Sequence, residues 1–135
     1  PPRRTVYGFI DRQNLDGVYR TFDFAVPDAT SPKRFVTTVP QQALFLMNSP
    51  FVQQQARRLA TDIEADARSD QSSADPGVVV EDAYRRVLGR RPDDRERGRA
   101  VAFLHGAGGP AEGGMSPLAQ LAQVLMLTNE FLYVD

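Results

Sequence analysis

The chain has 135 residues with a formal net charge of −1, 41% hydrophobic residues and no cysteine. That length suits one domain, which can bury roughly two-thirds of its unfolded surface, while the missing cysteines exclude disulfides, thiolate metal sites, c-type haem attachment and cysteine nucleophiles. The near-zero charge excludes a global field that would draw the chain to nucleic acid or an anionic membrane, so such binding must be local. No apolar run reaches the ~20 residues needed to span a bilayer, and the Pro-Pro-Arg-Arg beginning has no signal-peptide apolar stretch. The segment therefore reads as one domain, 1–135, excised from a larger protein whose targeting information lies upstream, with no membrane span.

Prolines at 27, 32 and 40 and the turn run Asn14-Leu15-Asp16-Gly17 predict an irregular first third. Residues 4–9 and 18–24 are β-branched and aromatic enough to predict short strands. From Pro40 the period changes. Gln41 to Met47 predicts a short apolar helix, interrupted at Asn48-Ser49-Pro50, where Pro50 suits a first helical turn and Ser49 or Asn48 a cap. Val52, Ala56, Leu59, Ala60, Ile63 and Ala67 then share one helical face.

Polar residues 69–77 form a linker. A helical hairpin follows over 78–105: a first helix of about 78–89 turns Val79, Val80, Ala83, Tyr84, Val87 and Leu88 inward and stops at Gly89. Asp93 with Glu96 makes a capping box for the second, whose apolar side holds Val101 and Leu104. A glycine-rich linker covers 106–115. The closing helix, about 116–131, is apolar on nearly every side, so it belongs at the centre of a bundle, packed on the helices of 41–68. The fold class is mainly α: a bundle of about four to five helices with an irregular N-terminal segment containing short strands.

Certain blocks form a pattern: Arg3-Arg4-Thr5-Val6-Tyr7, Phe22-Asp23-Phe24, Arg34, Thr37 to Leu44, Asn48-Ser49-Pro50-Phe51 and Asn129 to Asp135. The chain resembles the planctomycete-specific domain of unknown function 1553. The resemblance implies no known activity. It implies the C-terminal domain of exported, cytochrome-c-associated planctomycete proteins, hence an exported or cell-envelope location and upstream domains of the same polypeptide as partners. Some members carry a cysteine before the residue matching Arg34, where this chain has Ser31-Pro32-Lys33.

The polar residues matching that pattern are Arg4, Tyr7, Asp23, Arg34, Thr38, Gln42, Asn48, Asn129 and Glu130. As a site, Asp23 and Glu130 are an acid–base pair, Arg34 an anion holder, and Gln42 with Asn48 a grip for a substrate hydroxyl or amide. As structure, Asp23 pairs with Arg34 or Arg4 and Asn48 caps a helix, because buried polar groups must be satisfied. The hairpin arginines Arg85, Arg86, Arg90, Arg91, Arg95, Arg97 and Arg99 face only Asp93, Asp94 and Glu96 nearby, a basic patch for an anionic polymer. Read structurally, Glu81–Arg85, Asp82–Arg86 and Asp93–Arg97 are i, i+4 pairs on solvated faces.

No catalytic constellation is recognisable. The glycines of 106–114 lack the strand and the Gly-Lys-Ser/Thr of a phosphate loop. His105 has no second histidine or cysteine for a metal, and Ser49 sits in no nucleophile elbow. The reading is an interaction or scaffold module with no cofactor, no metal and no nucleic-acid partner. Its alternatives are a share in a substrate site, with a polysaccharide as the ligand, and anionic-polymer binding by the arginines.

Overall fold

The computed structural model describes residues 7–11, 13–14, 17–22, 40–69, 75–107 and 114–132. They are mainly α-helical, with seven helices and no strand among them: α1 (Gly17–Thr21), α2 (Pro40–Asn48), α3 (Pro50–Ser69), α4 (Pro76–Leu88), α5 (Asp94–Gly106), α6 (Pro117–Met126) and α7 (Asn129–Leu132). The chain divides into two compact units, residues 1–45 and 46–135, with the boundary inside α2.

In the first unit the expected strands are corrected. Residues 4–6 and 23–24 lie outside the described part; of the rest, Tyr7 to Phe9 form no strand, and Gly17–Thr21 is a single helical stretch. The Thr21 hydroxyl donates to the Gly17 carbonyl at 2.8 Å, closing that turn locally. Strand propensity expresses fitness for a pleated surface beside other strands, and no such surface exists among the described residues. Phe22 meets Phe45 edge to face, with ring centroids 5.8 Å apart, an arrangement favoured by the ring quadrupoles.

The second unit is the helical bundle. Ser49 stands before α3 and its carbonyl accepts from the Gln53 amide at 3.1 Å, with Pro50 opening the helix as the missing N–H allows. The α3 face buries Ala56, Ala60 and Ile63, against α6 above all. Alanines on both sides, Ala56 and Ala60 facing a helix that buries Ala119 and Ala122, allow close approach of the two backbones.

The hairpin α4–α5 closes over that pair. Val80, Ala83 and Tyr84 are buried while Val79, Val87 and Leu88 are half-buried against the same core. Gly89 ends α4 in the left-handed region at φ 73°, its amide bonded to the Arg85 carbonyl; glycine occupies that conformation without a Cβ penalty. The Asp93–Glu96 capping box is complete: the Asp93 carboxylate accepts from the Glu96 amide at 2.7 Å, and Glu96 accepts from the Asp93 amide at 2.8 Å. Ile63 and Val80 are essentially fully buried, worth about 1.5–3 kcal/mol each.

The last helix expected from sequence, 116–131, is two. Ser116 caps α6, accepting from the Ala119 amide at 3.2 Å, and Leu118, Ala119, Leu121, Ala122 and Leu125 are buried. The break is made by Thr128. Its hydroxyl donates to the Leu125 carbonyl at 2.7 Å and accepts from the Phe131 amide at 3.4 Å, so one side chain ends α6 and caps α7. The expectation that the chain's end is central therefore holds for α6 alone, since no residue of α7 is buried. Two glutamines relieve the apolar helix by serving backbone: Gln120 donates to the Met115 carbonyl, and Gln123 reaches Met47 at 2.9 Å. The Met47 carbonyl, in the last turn of α2, also accepts from Gln53 of α3, as an unsatisfied helix-end carbonyl requires.

Candidate functional site

Two regions of the second unit carry chemistry worth weighing, and Tyr84 and Glu96 belong to both. The first is a charged junction where α4, α5 and α7 meet. Arg90 follows the Gly89 turn, close to the C-terminus of α4, where a cation is favoured; Glu96 and Glu130 occupy the first turns of α5 and α7, where anions are favoured. Arg90 Nε and Nη2 donate to Glu130 at 2.5 and 2.8 Å, Nη1 and Nη2 to Glu96 at 2.8 Å each, and Nη1 to the Arg91 carbonyl at 3.0 Å. All five guanidinium N–H groups are thereby used. The guanidinium lies 5.7 Å from the centroid of the Tyr84 ring, within cation–π range.

The electrostatics follow from this geometry. Arg90 holds the Glu96 carboxyl down at about 2, helped by the Asp93 amide, and holds Glu130 below the ordinary carboxylate range. The two glutamates in turn push Arg90 further up. Burial, with the neighbouring Glu96 charge, raises the Tyr84 phenol. A carboxylate stabilised as an anion by a fork of donors does not serve as a proton shuttle near neutral pH.

A second ionic set runs between α3 and α4. Arg86 bridges Asp66 at 2.6 Å and Asp82 at 2.9 Å, which raise its already high pKa. Glu81 takes Arg85 at 3.6 Å and Arg91 at 3.0 Å. Asp66, Glu81, Asp82 and Arg85 line a cavity of ≈ 420 Å³ together with Ile63, Val78 and Val79. Arg97 lies 3.9 Å from Asp75, whereas Asp93, its expected partner, spends its carboxylate on the α5 cap.

The other region is an apolar groove of ≈ 310 Å³ between α5 and α6. Tyr84, Ala100, Leu121 and Leu125 lie deepest, with Phe103 and Val124 on its sides, the latter two 40% and 57% exposed. Exposed large apolar side chains beside a concavity, unlike scattered single ones, mark an interaction surface.

Of the seven hairpin arginines, Arg85, Arg86, Arg90, Arg91 and Arg97 are ion-paired. Four of their six carboxylate partners, Asp66, Asp75, Glu81 and Asp82, come from α3, the turn before α4, or α4 itself, and Glu130 comes from α7. Arg95 and Arg99 take part in no ion pair among the described residues. From the nine pattern residues, Arg4, Asp23, Arg34 and Thr38 lie outside the described part. Tyr7 is exposed, Gln42 is buried and Asn48 exposed on α2, and Asn129 is exposed where α7 begins. Glu130 is engaged by Arg90. His105 is exposed in the last turn of α5, and no group of three or more His, Asp or Glu placed to hold a metal occurs among the described residues.

The sequence profile of PSD1, described as a protein of unknown function (DUF1553), matches residues 1–104. The chain belongs to that family. No curated protein and no solved structure matches it. The DUF1553 match ends inside α5, so α6, α7 and the Asn129-Glu130-Phe131 block lie beyond it. Within this DUF1553 chain, sequence reasoning missed the Arg90–Glu130 pairing and the groove. Position 90 stands out only by directly following a Gly C-cap; nothing local points to a partner 40 residues on.

Proposed function

We propose that the domain is an interaction module that packs against neighbouring domains of a larger exported polypeptide. The observation that carries this reading is the division of labour in the second unit: five of the seven hairpin arginines are spent on carboxylates, while apolar side chains flanking the α5–α6 groove are left open to solvent. A catalytic site needs the reverse, polar groups free to meet a substrate in a concave setting. The neighbours and the exported location are what the family resemblance implies. No helix among the described residues is long and apolar enough to cross a membrane.

A share in a polysaccharide site is supported less, because Glu130, one of its acids, is occupied by Arg90. Anionic-polymer binding is likewise weakened by the pairing of five of the seven arginines. The test is a calorimetric titration of residues 1–135 against the separately produced neighbouring region of the parent polypeptide. Saturable binding that Val124→Ser weakens is expected; absence of binding, with the domain indifferent to its neighbour, contradicts the reading.

A further inference from the structure

The charges around the α5–α6 groove are one-sided. Arg99 lines it, and Arg95 stands one turn back at i−4 on α5, a spacing that puts both on one helix face. Both are exposed and without an ion pair among the described residues. Glu96, the one carboxylate in the lining, is committed to Arg90. The opposite wall, α6, reads Pro-Leu-Ala-Gln-Leu-Ala-Gln-Val-Leu-Met and has no charged residue. An apolar trough therefore runs beside two guanidinium groups that have no ion pair among the described residues.

We infer that this groove docks an amphipathic helical segment of a protein partner, with its apolar ridge against Phe103, Leu121, Val124 and Leu125 and an acidic flank against Arg95 and Arg99. The inference rests on the interaction-module reading and names its partner's chemistry. A volume of ≈ 310 Å³ sits at the small end of the ~300–1,000 Å³ typical of small-molecule sites, and an open trough between helices suits a ridge of side chains. No strand edge exists among the described residues for an extended peptide to join, whereas helix-in-groove recognition needs only apolar anchors at i, i+3/i+4 and i+7. The guanidinium fork pairs with carboxylates in two-point geometry, so the arginines select an acidic flank and fix the direction of docking.

The test uses residues 1–135 and two synthetic helical peptides with leucines at i, i+3, i+4 and i+7, one with Glu along a flank and its twin with Lys at the same places. Affinity is read by fluorescence anisotropy and the contact surface by amide chemical shifts. The Glu peptide is expected to shift α5 and α6 resonances and to bind about tenfold or more tightly than its twin at low salt. The double change Arg95→Glu and Arg99→Glu, at exposed positions that leave the core untouched, reverses that preference, and Val124→Asp abolishes binding of both peptides. Equal affinity for the twins overturns the acidic partner while leaving the interaction module standing. Binding of neither peptide, or binding that ignores Val124→Asp, removes the groove as the site. Self-association in sedimentation, lost on Val124→Asp, overturns the inference in favour of a second copy as occupant.

Discussion

The charged junction and the apolar groove share α5, Tyr84 and Glu96, yet they are opposites. At the junction each guanidinium N–H of Arg90 has an acceptor and both carboxylates are held as anions. In the groove the apolar walls Phe103 and Val124 meet water, with two arginines beside them lacking an ion pair among the described residues. The difference teaches that in this bundle most of the charged residues that look chemical finish the fold, while some apolar residues that look like ordinary core stay open to solvent.

The largest perturbation is one that removes the support common to both regions. Ile63→Ala, in the cluster that includes Tyr84, Leu121 and Leu125, is expected to cost about 2–4 kcal/mol through lost burial and a residual cavity, read by urea denaturation. A loss under about 1 kcal/mol means the core collapses around the gap. Next comes Arg90→Ala, which strips Glu96 of its partner and loosens α7. About 1–2 kcal/mol is expected, moderated by solvent reaching a guanidinium that is 39% exposed, and Arg90→Lys recovers only part of it because a point charge cannot replace the fork.

The pH dependence sharpens the same contrast. Glu96 falls from an ordinary value of 4.5 to about 2 in the fold, so its contribution is fully present above pH 4.5 and is lost as pH falls toward 2. Acid titration of stability is expected to show that loss, and Glu96→Gln to flatten it; an unchanged acid profile contradicts the strength assigned to the Arg90–Glu96 pair. The smallest effect on stability belongs to the groove: Val124→Ser is expected to change stability by less than about 0.5 kcal/mol, as for exposed positions generally, while weakening partner binding.

Much of the bundle was legible because its signals are local. The 3.6-residue spacing of Ala56, Ala60 and Ile63, the Gly89 stop and the Asp93–Glu96 box each act within a few residues and appear as read. Bounds failed where one side chain outweighed a pattern: the apolar run up to Leu127 gives no hint that the Thr128 hydroxyl will take the Leu125 carbonyl and start a new turn. Residues 18–22, the described part of the expected strand 18–24, misled for the converse reason, strand-forming residues with no described strand to pair with. The candidate site was least legible. The Glu81–Arg85 and Asp82–Arg86 pairs are local and appear as read, but Glu130 lies beyond the family match, and only the fold brings Asp66 to Arg86, Glu81 to Arg91 and Glu130 to Arg90. Groove and junction are tertiary objects, assembled from helices whose separate sequences carry no trace of the neighbour.

The most direct test of the division between the two regions is a paired measurement, stability and neighbour-domain affinity, on Arg90→Gln and Val124→Ser. A crossed result is predicted: Arg90→Gln loses stability and keeps affinity once compared at equal folded fraction, and Val124→Ser keeps stability and loses affinity. If instead Arg90→Gln abolishes affinity in fully folded protein while Val124→Ser leaves it intact, the junction is the site and the groove is not.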